Sequence, residues 1–225
     1  MDPVRKWLQA RSSLAACRTR RAAVALSWIQ ADSHLPQKFP TMPEDTPEIL
    51  HAGRHLRLCQ RGRWEYAERL NPQGAVVIVA ITADDTVLMV EQYRIPIQSR
   101  TLEFPAGLIG DESAFADESW RESAQRELLE ETGWQAERIE SIMAGPSSAG
   151  MTTEVMHFVR ATGLRRIHAG GGAGDENITV HEVPRKDIAR FVAERMAEGY
   201  AVDPKVYAGI YFLERDARGE PFADA

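Results

Sequence analysis

Residues 126 to 134 read Arg-Glu-Leu-Leu-Glu-Glu-Thr-Gly-Trp, which sets Glu127, Glu130 and Glu131 at i, i+3 and i+4 ahead of a glycine stop. On a helix of about 3.6 residues per turn these three carboxylates gather along one face. Like charges so close repel one another, and a hard divalent cation with a preference for oxygen ligands turns that repulsion into binding. Mg2+ is the expected guest, with Mn2+ as the alternative. The competing reading of the same spacing is an acidic, solvated helix face.

The stretch resembles the Nudix box, the pattern G-x(5)-E-x(7)-R-E-U-x-E-E-x-G-U with U a bulky apolar residue. Arg126, Glu127, Leu128, Glu130, Glu131, Gly133 and Trp134 match its second half at every fixed position, and Glu118 fits eight residues before Arg126. A fixed-length pattern would place the first glycine at Glu112, whereas Gly107 in Phe-Pro-Ala-Gly-Leu-Ile lies five residues further upstream. We read the difference as a longer, polar surface loop, Gly110 to Asp117. The resemblance extends over about residues 43 to 214 and is to the ADP-ribose pyrophosphatase-like branch of the family. Glu-Ile-Leu-His-Ala-Gly-Arg-His-Leu-Arg-Leu, Gly-Arg-Trp-Glu-Tyr-Ala-Glu-Arg, Val-Glu-Gln-Tyr-Arg and Leu-Glu-Phe-Pro-Ala-Gly carry it. Where that branch has Ser-Pro-Gly after the box, this chain has Ser148, Ala149 and Gly150.

This resemblance implies an α/β/α sandwich and a set of roles. Glu127 and Glu131 are the expected metal ligands, with Glu130 and the backbone carbonyl of Ala106 completing the cluster. Arg126 is expected to orient the glutamates by hydrogen bonding, and Glu118 to support them. The general base is expected on a later glycine-rich loop, Gly-Gly-Gly-Ala-Gly-Asp-Glu-Asn, at Glu176, with Glu154 as the second candidate. A phosphate-cradling reading of that loop lacks a following helix and a nearby P-loop lysine. A surface turn is its bland reading. Arg94 and Arg69 are assigned to substrate binding, against a surface salt bridge as the alternative for Arg94. Trp64 and Glu65 match a pair that stacks on adenine and hydrogen-bonds to it, against a half-buried strand tryptophan. A homodimer is expected by resemblance.

Elements must position these residues. Strand-like runs occur at Leu56 to Cys59, Trp64 to Leu70, Ala75 to Ile81 and Val87 to Tyr93, with Asp84-Asp85 as a hairpin turn between the last two. Val76 to Ile81 is apolar throughout, as a central buried strand requires. The box helix is predicted at Ser119 to Thr132, stopped by Gly133. Strands at Arg138 to Ala144, Glu154 to Arg160 and Asn177 to Val183 follow, then helices at Arg185 to Ala197 and Pro204 to Leu213.

With 225 residues, 44% of them hydrophobic, the chain can bury a sizeable core, and no apolar run reaches the ~20 residues of a membrane span. A net charge of −6 argues against a nucleic-acid partner. Cys17 and Cys59 are too few for a disulfide framework, so a reducing compartment, the cytoplasm, is the expectation. His51 and His55 lack metal-ligand grouping. Residues 1 to 42 form a basic extension and 43 to 225 the hydrolase domain. A mitochondrial transit segment over residues 1 to 41, an over-long gene start with Met42 as the working start, and a disordered arm all fit that extension. Three functions stay open: hydrolysis of ADP-ribose to AMP and ribose 5-phosphate, the same chemistry on GDP-mannose or another nucleotide sugar, and a catalytically silent nucleotide sensor.

Overall fold

In the computed structural model, which describes residues 46–70, 74–110, 115–174 and 176–222, the strands form three sheets and one short pair. Residues 1–45, and with them the readings of the N-terminal extension, lie outside the described residues. Strands β1 (Glu48–Ala52), β2 (Leu56–Arg61) and β3 (Trp64–Arg69) form an antiparallel sheet. The second sheet runs β7-β4-β10-β9, from Ala106–Ile109, Gly74–Ala80, Val155–Thr162 and Arg138–Pro146; β4 and β10 are parallel and the outer pairs antiparallel. The third runs β12-β5-β6-β13, from Thr179–Pro184, Thr86–Arg94, Ser99–Glu103 and Ala201–Val202. Two short strands, β8 (Trp134–Gln135) and β11 (Arg165–Arg166), pair beside the box.

Strand β4 is buried at every residue, as its unbroken apolar run predicts. Its alternate side chains serve two cores. Val76, Ile78 and Ala80 meet Trp120, Ala124 and Leu128 of the box helix, α1 (Trp120–Glu127). Ala75, Val77 and Val79 face the other way, toward Met89, Leu102 and Phe104 and toward two helices, α2 (Ile188–Ala197) and α3 (Lys205–Phe212). Helices therefore lie on both faces of the mixed sheet, giving the α/β/α sandwich. Each fully buried Val or Leu contributes roughly 1.5–3 kcal/mol to holding the layers.

The start of α1 is fixed by a capping box: the Ser119 hydroxyl accepts from Glu122 N–H at 3.3 Å, and the Glu122 carboxylate accepts from Ser119 N–H at 2.8 Å. The predicted helix continues to Thr132, but its last turn, Leu128–Thr132, is a π-turn rather than α. Widened turns of this kind recur at functional sites. Gly133, at φ 76°, ends it in the left-handed conformation. The Asp84-Asp85 turn is present, with Asp85 at φ 58°. Strands β1, β6, β7, β8, β11 and β13 add to the elements predicted, and the turn Arg185–Asp187 precedes α2 as a 3-10 segment. No helix among the described residues is long and apolar enough to cross a membrane.

Candidate active site

Helix α1 points its charged face at β7, and the carboxylates there meet around one guanidinium. Arg126 Nη2 and Nε donate to the two oxygens of Glu118 at 2.8 and 3.2 Å. Its Nη1 donates to Glu127 Oε1 at 2.8 Å and to Glu130 Oε2 at 3.2 Å, and its Nη2 also reaches the Leu108 carbonyl at 3.2 Å. Burial opposes the charge on Arg126, yet the Glu118 hydrogen bond and the Glu127 charge lift its pKa well above the ordinary arginine value. Arg126 is thus a permanently charged clamp, and the ring of Phe115 covers it at 4.7 Å. Glu118 also accepts from Gly110 N–H at 3.1 Å, so the longer loop is tied at its base to the same clamp.

Glycine at 107 leaves room for the Glu127 carboxylate. A Cβ there would lie 1.9 Å from Glu127 Cδ, so only a bare backbone lets that carboxylate rest against β7. This is the glycine chosen five residues upstream of the fixed-length pattern. Next to it, Ala106 N–H donates to Glu131 Oε2 at 3.0 Å. Glu131 is only 4% exposed. Burial pushes its pKa well up and the Glu127 and Glu176 carboxylates add to that, while the Ala106 N–H and Arg94 act against it.

The donor set suits a hard divalent cation in kind: three carboxylates, all oxygen, one of them buried with one N–H bond, beside a glycine cradle. Among the described residues no three His, Cys, Asp or Glu side chains already stand together as a metal cluster. The reason lies in the hydrogen bonds, since Glu127 and Glu130 turn to Arg126 while Glu131 turns to Ala106 N–H.

The other expected site residues fall into two groups and one residue apart, Arg94 on β5. Glu176 sits on the glycine-rich segment, close enough for its charge to act on Glu131, and its carboxylate accepts from Ala173 N–H at 3.0 Å. That segment is bonded to the end of the box helix, not held apart from it as a free flap. Gly171 N–H donates to the Glu131 carbonyl at 2.8 Å. The second group lies on β3 and the loop after β9. Arg69 Nε donates to Glu154 Oε1 at 2.6 Å, so these two candidates are partners. Trp64 is 56% exposed, and its ring edge passes 3.7 Å from the position of a Cβ on Gly150, against the Ser148-Ala149-Gly150 turn. Glu65 is exposed beside it.

Arg94 is gripped at both ends by Glu103, with Nε to Oε1 at 2.8 Å and Nη2 to Oε2 at 2.7 Å, and Thr101 Oγ1 donates to the same carboxylate at 2.5 Å. Glu103 and Phe115 escape the sequence reading. Glu103 stands in Leu-Glu-Phe-Pro-Ala-Gly; in the β5–β6 register it lies opposite Val90 while Arg94 lies opposite Ser99, on the same face of the hairpin, so the two side chains meet along the ladder. Nothing in the sequence marks Phe115.

Comparison with known proteins is consistent with this geometry. A model of the NUDIX domain matches residues 71–202. The chain is 30% identical over 174 residues to a methanol dehydrogenase activator of Bacillus methanolicus, covering 74% of this chain and 89% of that protein. It is 31% identical over 156 residues to an ADP-ribose pyrophosphatase of Bacillus subtilis (strain 168), covering 68% and 78%. Identity to a GDP-mannose pyrophosphatase of Yersinia pestis is 30% over 149 residues, covering 62% and 72%. A solved structure described as an ADP compounds hydrolase superposes with a TM-score of 0.57 over 77% of this chain and 95% of that one, at 21% identity, and so speaks to the fold.

Proposed function

The chain belongs to the NUDIX family, and from that premise we propose that it is a metal-dependent hydrolase of nucleoside diphosphate-linked metabolites, converting ADP-ribose and water to AMP and ribose 5-phosphate. One observation carries the reading: Glu118, Glu127 and Glu130 converge on Arg126 while Glu131 lies buried against Ala106 N–H on the adjacent strand. An acidic face meant only for solvent has no use for a buried glutamate or for a glycine cradle.

When bound, Mg2+ would neutralise the pyrophosphate oxygens and ease deprotonation of the attacking water. Glu127, Glu130, Glu131 and the Ala106 carbonyl are the residues we assign to hold it. Arg126 keeps the glutamates at fixed spacing, so little reorganisation is left for the reaction. Glu176 accepts the proton of the attacking water, and one P–O bond of the bridge breaks as the new one forms. We assign this role to Glu176 and not to Glu154, because Glu154 is committed to Arg69. Arg94, steadied by Glu103, and Arg69, steadied by Glu154, present guanidinium groups to the phosphates. Trp64 provides the stacking surface for the base and Glu65 an acceptor for its edge. Ile49, Leu50, Leu56 and Leu58 on the three-stranded sheet are exposed, and we assign that sheet to a homodimer.

GDP-mannose is the second reading. Ala149 stands where the ADP-ribose-specific branch has proline, and GDP-mannose pyrophosphatases are among the relatives. Turnover of a panel of ADP- and GDP-linked sugars, with products identified by ion-exchange chromatography, decides between them. AMP and ribose 5-phosphate as the fastest products support the first reading, and a preference for GDP-mannose replaces it with the second. No hydrolysis of any member, with nucleotide binding retained, would mark the chain as a sensor.

A further inference from the structure

The segment that carries Glu176 is joined backbone to backbone to the turn that carries Glu130 and Glu131. Gly171 N–H donates to the Glu131 carbonyl at 2.8 Å and Gly172 N–H to the Glu130 carbonyl at 3.1 Å. Ile167 and His168 N–H both donate to the Gly133 carbonyl, at 2.8 and 3.2 Å. Carbonyls at a helix C-terminus lack intrahelical partners, and here the donors come from the loop of the proposed base. The approach is so close that side chains are excluded. A Cβ on Gly170 would lie 2.4 Å from the Thr132 carbonyl carbon and 2.7 Å from the Glu131 carbonyl oxygen. One on Gly172 would lie 2.6 Å from Glu176 Cβ. Gly170 and Gly172 also hold φ of 76° and 88°.

We propose that Gly170 and Gly172 are positioning residues, which register Glu176 against the Glu130–Glu131 turn so that base and metal-facing carboxylates are held as one body. The inference rests on Glu176 being the base. It assigns the glycines a purpose opposite to flexibility, because they bring the loop down onto the helix end and keep it there. A displacement of about 1 Å at a reacting group can cost on the order of 10²-fold in rate.

Gly170→Ala tests it, with Gly174→Ala as the control, since Gly174 has the same backbone requirement at φ 60° but no atom within 4 Å of its Cβ position. Gly170→Ala is expected to lower kcat for ADP-ribose by about 10- to 100-fold with KM little changed. In the metal-free protein it should also abolish the hydrogen-exchange protection of the Gly171 and Gly172 amides. Gly174→Ala should keep wild-type kcat. In a Glu176→Gln background, Gly170→Ala should cost almost nothing more, because both changes act through one group. If Gly170→Ala fails to fold, Gly172→Ala carries the same test, as its Cβ meets the Glu176 side chain and not the helix backbone. Wild-type kcat in a folded Gly170→Ala or Gly172→Ala protein, beside an impaired Glu176→Gln enzyme, overturns the inference. Wild-type kcat in Glu176→Gln instead removes the base assignment on which it rests.

Discussion

Arg126 shows how one side chain organises several. Its five N–H donors are fixed in a planar fork, and four of the bonds described above run to three carboxylates. Lysine has a compact charge on a flexible stem and cannot reproduce that geometry. Arg126→Lys should therefore weaken Mg2+ affinity or kcat/KM by about 10- to 100-fold, the usual range when a residue that orients metal ligands is changed. Titration calorimetry with Mg2+ and steady-state kinetics check this, and unchanged values would reduce Arg126 to a structural clamp. Trp64 makes a separate contribution. Stacking on a nucleobase contributes about 1–3 kcal/mol, so Trp64→Ala should raise KM for ADP-ribose by roughly 5- to 150-fold, with a smaller effect on kcat. An unchanged KM would mean that the base binds elsewhere.

At the scale of elements, the box helix depends on its first turn. Loss of the Ser119 hydroxyl leaves Glu122 N–H without its cap, and Ser119→Ala should lower stability by about 1 kcal/mol. Thermal unfolding should then show a lower Tm while metal affinity stays near wild type, since Glu127, Glu130 and Glu131 lie at the far end of the helix. The helix itself was legible because Ser119, Glu122 and Gly133 punctuate it at both ends. Its π-turn was not, since the glutamate spacing is the same whether the last turn is α or π. Strand β4 was legible from its unbroken apolar run, whereas β6 and β7 are short and flank Pro105, which hides their pairing. The Arg94–Glu103 and Arg69–Glu154 pairs were hidden for a related reason: residues 9 and 85 positions apart meet only once strand register and the docking of β3 are known. The placement of Glu127, Glu130 and Glu131 at the end of the box helix could be read from local spacing alone. The docking of the glycine loop could not, because it is made of backbone bonds with no residue-type signature.

For the whole molecule, the sandwich closes over titratable groups as well as apolar ones. His157 on β10 is 1% exposed, and burial lowers its pKa below the usual value. A depressed histidine pKa favours the fold above the unfolded value of about 6.5, and that contribution is lost as pH falls through the lower folded value. Stability measured by chemical unfolding should thus decline below about pH 6.5, and His157→Leu should flatten that decline. An identical pH dependence in the two proteins would assign the acid sensitivity to other groups. The proposed hydrolysis rests on the carboxylates of the box helix, and Glu131 above all, holding the metal. It is tested most directly by the rate of AMP release from ADP-ribose in wild type and in Glu131→Gln, each with Mg2+ and with excess EDTA. Wild type with Mg2+ should turn over, and both EDTA and Glu131→Gln should lower kcat by at least two to three decades, about 3–4 kcal/mol of transition-state stabilisation, with the fold of the variant intact by circular dichroism. Turnover near the wild-type rate in EDTA, or in Glu131→Gln with Mg2+, would contradict it.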